Sequence, residues 1–108
     1  MDMSSCIEAC EACREACLAC ADKCREMGHA EMADLCQACA EQCETCLTAM
    51  GKGADAECGV CAQICAECGE MCAPVDEETH RRCAEACARC AAECGKMAAA
   101  TGGQAMLF

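Results

Sequence analysis

Residues 6–24 read CIEACEACREACLACADKC, which places Cys6, Cys10, Cys13, Cys17, Cys20 and Cys24 at alternating intervals of four and three. That is the spacing of one stripe along an α-helix, at the positions where a helix bundle ordinarily carries Leu and Ile. The pattern returns three times, as Cys36, Cys39, Cys43 and Cys46, then Cys58, Cys61, Cys65, Cys68 and Cys72, then Cys83, Cys87, Cys90 and Cys94. Four such segments predict four helices whose inward face is lined by thiols.

Punctuation in the sequence bounds these helices. Ser5 followed by Glu8 has the form of a capping box, and Gly28 is a natural stop, which sets the first helix at about 5–27. The second runs over about 29–50 and is closed by Gly51, Lys52 and Gly53. The third starts near Asp55, ends before Pro74 and covers about 55–73. Asp76, Glu77 and Glu78 place negative charge at the start of the fourth, at about 77–100. Short connections between helices of similar length favour antiparallel neighbours. The expected fold is therefore all-α, one antiparallel up-down-up-down four-helix bundle spanning residues 1–108 as a single domain. With the cysteines at heptad positions a and d, Glu8, Glu15, Asp22, Asp34 and Glu41 fall at f and face solvent.

Composition narrows the function. The chain has 108 residues and a formal net charge of -11, which argues against nucleic acid and anionic membrane surfaces as partners. The longest uncharged run, Met97 to Phe108, is too short and too rich in Gly and Ala to span a bilayer, and no N-terminal signal pattern is present. The expected location is the cytosol, where thiols stay reduced and a cysteine-dense chain is more suited to metal than to disulfides. Leu, Ile, Val and Phe total nine residues against 24 Ala and 19 Cys, so Ala and Cys must build the core.

Disulfides fit poorly, because nineteen is odd and neighbours on a rigid helix are badly set for the required geometry. Zinc and iron-sulfur sites call for discrete sets of four ligands, commonly in turns, whereas these cysteines run on continuously inside helix. Charge is more decisive. Exchanging each thiol proton for one Cu(I) leaves the charge unchanged, while each Zn(II) held by four thiolates leaves two uncompensated negative charges in a narrow core. Eight C-x-x-x-C pairs face the core side by side, beginning with Cys6 and Cys10, and sharing of thiolates would raise capacity to on the order of 15 to 20 Cu(I) ions. The same register continues into other soft or borderline ligands. Met27, His29, Met32 and His80 gather at one end, near Met71 and Cys72, and Met3, Met50 and Met97 at the other.

The run CIEACEACREACLACADKC and its echoes CQACAEQCETC, CGVCAQICAECGEMC and CAEACARCAAEC resemble the bacterial copper storage proteins, over almost the whole chain from Cys6 to Met97. The likeness is nearer to the cytosolic branch of that family. It implies a non-enzymatic store filled with Cu(I), a homotetramer, and copper intake at one bundle end through Met27, His29, Met32 and His80. A copper chaperone or a copper-requiring apoenzyme is the kind of donor or acceptor it implies. Two other functions remain open on the residues alone: a zinc or general heavy-metal detoxifying protein, and a thiol redox enzyme or sensor using pairs such as Cys36 and Cys39 or Cys43 and Cys46. The tail TGGQAMLF, residues 101–108, reads as a frayed end or as a cover over an apolar groove.

Overall fold

The structure, a computed structural model, describes residues 3–53 and 56–105. Four helices account for most of them: α1 Ser4–Glu26, α2 Ala30–Gly51, α3 Cys58–Cys72 and α4 Glu78–Ala105. Each lies against its neighbours in sequence, and α4 closes the ring against α1. The thiols fix the direction of packing. Cys6 at the start of α1 meets Cys94 late in α4 at 3.4 Å, while Cys20 near the end of α1 meets Cys72 at the end of α3 at 3.7 Å. The bundle is antiparallel and elongated, 45 × 24 × 18 Å.

The binary pattern accounts for the packing. All nineteen cysteines are buried, joined by Ala9, Ala21, Ala33 and Ala40, and by Met50 and Met97. Glu8, Glu15, Asp22, Asp34 and Glu41 are exposed, as their f positions require. Small side chains permit close approach of the helices. A Cβ at Gly69 would lie 3.2 Å from the Cβ of Cys87 and 3.5 Å from the carbonyl of Ala84, so glycine lets α3 and α4 come together here. Among the described residues, no helix is long and apolar enough to cross a membrane.

α1 ends where Gly28 stops it. Gly28 takes a φ of 77°, its N–H donates to Arg25 O at 3.2 Å, and the His29 N–H donates to Cys24 O at 2.8 Å. This is a Schellman closure, open to glycine because it has no Cβ. Gly53, with a φ of 78°, ends the turn after α2.

Two expectations are corrected, and a third falls partly outside the described residues. The Ser5 and Glu8 capping box does not form: Met3 is the N-cap, without a side-chain cap bond, and Ser5 lies inside the helix. Met3 packs against the core and its carbonyl accepts the Ile7 N–H at 2.9 Å, so the chain turns helical before Ser5. α3 is short, Cys58–Cys72, with Glu57 as its N-cap; the expected start near Asp55 lies outside the described residues. α4 continues to Ala105, because nothing after Ala100 blocks the hydrogen-bond ladder and Gly102 and Gly103 only weaken it. The tail is thus helical over 101–105, and its last three residues lie outside the described part.

Candidate metal centre

The a and d cysteines of the four helices converge on one axis. Pairs four apart on one helix lie side by side, with Sγ separations of 3.8 Å for Cys13 and Cys17, 3.9 Å for Cys61 and Cys65, 3.9 Å for Cys83 and Cys87, and 3.8 Å for Cys90 and Cys94. Contacts between helices are just as short: Cys46 to Cys58 at 3.6 Å, Cys13 to Cys65 at 3.7 Å, Cys17 to Cys87 at 3.6 Å. None of the nineteen is joined in a disulfide.

These contacts gather the sulfurs into quartets. Cys10, Cys46, Cys61 and Cys94 form one, with a thiol from each helix, and Cys20, Cys36, Cys72 and Cys83 form another nearer the opposite end. Between them lie Cys13, Cys39, Cys43 and Cys65; Cys13, Cys17, Cys39 and Cys87; and Cys17, Cys68, Cys83 and Cys87. In each, the four sulfurs lie within 4.8 Å of one another. The middle sets share members, so the core is a continuous column of sulfur with no boundary between one site and the next.

Electrostatics in the column is set by burial and by thiol-to-thiol hydrogen bonds. A thiol that donates holds its proton, and its acceptor is favoured as thiolate. Cys83 and Cys90 are pushed up, first by bonds to Cys17 and Cys10, whereas Cys39 and Cys61 are pulled down, first by bonds to Cys13 and Cys10. At the end of the column, burial pushes the Cys24 thiol up to about 11.

The two ends differ. At one, His80 is fully buried and is the only buried polar side chain among the described residues. Its Nε2 lies 3.3 Å from the Cys24 Sγ, and its Nδ1 lies 2.6 Å from the Glu77 Oε1. The hydrogen bond to His80 holds the Glu77 carboxyl down at about 2. His29, the N-cap of α2, is exposed, with its ring edge-on to His80 at 6.4 Å between centroids. His29, Met32 and Met71 line one open depression, together with Gly28, Ala30 and Glu31. At the opposite end Met50 and Met97 are each 4 % exposed, and Met3 packs partly buried against the core.

The copper storage protein family profile matches residues 1–99. The chain belongs to this family. Two solved structures of the family's Bacillus subtilis copper storage protein 3 superpose with a TM-score of 0.84 each. The apo form is 36% identical, covering 90% of this chain and 99% of that one, and the Cu(I)-bound form is 35% identical, covering 89% and 97%. A Nitrosospira multiformis protein superposes with a TM-score of 0.82 at 39% identity, covering 90% of this chain and 94% of its own. A search of curated protein sequences finds no significant match.

Within the family frame, the structure places the residues singled out from sequence unevenly. The cysteines all converge. Of Met27, His29, Met32 and His80, the depression unites His29 and Met32, His80 lies buried beside His29, and Met27 stands 41% exposed at the end of α1, outside the depression's lining. Two residues were not singled out as ligands or partners. Met71 joins the depression, and its position next to Cys72 was the available signal. Glu77 holds His80, and the signal was a carboxylate three residues before a histidine at a helix start.

Proposed function

We propose that the protein stores Cu(I), holding many ions in its thiol column and releasing one proton for each ion bound. The overlap of the quartets is the observation that carries this reading. Cys13, Cys17, Cys39, Cys83 and Cys87 each belong to at least two quartets, so adjacent sets can fill together only through thiolates that bridge two ions. Cu(I) accepts fewer ligands and a shared thiolate serves it well. Exchange of a proton for Cu(I) also keeps the dry core neutral, which a Zn(II) held by four thiolates does not. The family is one of storage proteins, and no catalytic role is assigned.

Copper enters at the end that carries Met27, His29, Met32 and His80, with Met71 added by its place in the depression. The working assembly is a homotetramer in the cytosol, in which a groove lined by Ala12, Ala16 and Ala19 together with Glu15, Thr79 and Arg82 is a face for a second bundle. A copper chaperone donates to it, and a copper-requiring apoenzyme draws from it. Anaerobic titration of the reduced protein with Cu(I) and with Zn(II), counting bound ions, tests the storage reading. Uptake of on the order of 15 to 20 Cu(I) per chain is expected. Saturation at about four or five ions, with Zn(II) preferred over Cu(I), would overturn it.

A further inference from the structure

A fully buried histidine at the first turn of a helix needs a reason, because thiols and methionines fill the rest of the core without any polar group. His80 has both ring nitrogens engaged. An ionised carboxylate can only accept, so the 2.6 Å contact between Nδ1 and Glu77 Oε1 places the proton of the neutral ring on Nδ1. Nε2 then presents its lone pair to Cys24, 3.3 Å away. Without Glu77, the opposite tautomer would turn an N–H toward the thiol and close that position to a metal ion.

Glu77 is itself firmly held. Its Oε1 also accepts the backbone N–H of His80 at 3.0 Å, as an N-cap does at the start of α4. Its own N–H donates to Val75 O at 2.9 Å and its carbonyl accepts the Arg81 N–H at 3.0 Å. One carboxylate therefore both caps α4 and orients the ring. Below the ring, Cys24 adjoins the quartet of Cys20, Cys36, Cys72 and Cys83, and above it His29 opens to the depression.

We propose that Glu77 is a positioning residue: it locks His80 with Nε2 facing Cys24, so that Nε2 and Cys24 Sγ form a mixed nitrogen and sulfur pair that takes Cu(I) from the surface and passes it to the column. This rests on the reading that copper enters at the histidine end. A carboxylate bonded to the far nitrogen fixes the tautomer and the ring orientation of a ligating histidine, which is the general role of such groups at metal sites.

Two substitutions separate the cap from the ring contact. Glu77→Gln keeps an oxygen acceptor for both N–H groups. Glu77→Ser keeps an N-cap oxygen for α4 but is too short to hold the ring. In metal-free reduced protein, long-range nitrogen-15 NMR of the histidine rings should show His80 with its proton on Nδ1 in the wild type and in Glu77→Gln, and a mixture of tautomers in Glu77→Ser. One equivalent of Cu(I) should shift the His80 Nε2 resonance in the wild type, and uptake of that first equivalent should be about 10-fold slower in Glu77→Ser, with helix content retained. A wild-type His80 protonated on Nε2, or a Ser variant with wild-type tautomer and uptake rate, would overturn the proposal. Unchanged uptake in His80→Ala would overturn the reading of the intake end itself. The tautomer, measured without copper, tells that failure apart from a failure of Glu77 to position the ring.

Discussion

The two ends of the bundle use the same soft side chains to opposite effect. At one end Met50 and Met97 are each 4% exposed and seal the column; at the other Met27 and Met71 are 41% and 40% exposed, beside an open depression. A thioether is an apolar filler when buried and an available ligand when not, so identity alone does not give it a role. Position relative to the inward stripe decides. Met50 and Met97 lie within α2 and α4, on the inward register, whereas Met27 is the C-cap of α1 and has left it.

The largest effects should come from opening the sealed end. Met50→Ala or Met97→Ala removes buried volume and should destabilise the metal-free protein by about 2–5 kcal/mol, read from denaturant unfolding. Met27→Ala and Met71→Ala should each change stability by no more than about 0.5 kcal/mol. Equal losses at both ends would break the contrast. Kinetics should show the reverse bias. His29→Ala combined with His80→Ala should slow Cu(I) loading about 10-fold while lowering total capacity little, followed by stopped-flow under nitrogen. Equal loading rates in the double variant and the wild type would remove the intake assignment.

The smallest effect is electrostatic and sharpens the comparison at Cys24. Burial raises its folded pKa from the usual 9.0 to about 11, so the folded state binds this proton more tightly than the unfolded chain does. That contribution is fully present below pH 9.0 and is lost as pH rises through about 11. Metal-free protein should therefore lose stability over this window, and Cys24→Ala should remove its share of the slope in unfolding measured at stepped pH.

The comparison also shows where the sequence is legible. Inside the helices the cysteine period states which face is buried, and Gly28 states where α1 stops. The same reasoning weakens at caps. His29 and His80 both fall on the extended seam, but His29 is an N-cap with φ −93° and ψ 72°, outside helical geometry, and its side chain is exposed. His80 is within α4 and is buried. Met3 rather than Ser5 caps α1, because a core contact outweighed a local hydrogen-bonding preference. Glu77 was visible only as charge at a helix start; its grip on the His80 ring depends on the turn after Pro74, which no periodicity encodes. Contacts between helices, such as Cys46 with Cys58, follow from the packing of whole helices and not from spacing on one.

The shared thiols of the middle quartets have a consequence for how filling must look. Where neighbouring positions own common ligands, occupancy of one alters the next, and the binding isotherm cannot be a sum of independent hyperbolas. Partly filled molecules are then expected as a distribution of arrangements along the column, because adjacent positions compete for the same sulfurs. Copper held by shared sulfurs should therefore redistribute along the axis while it is held against the solvent.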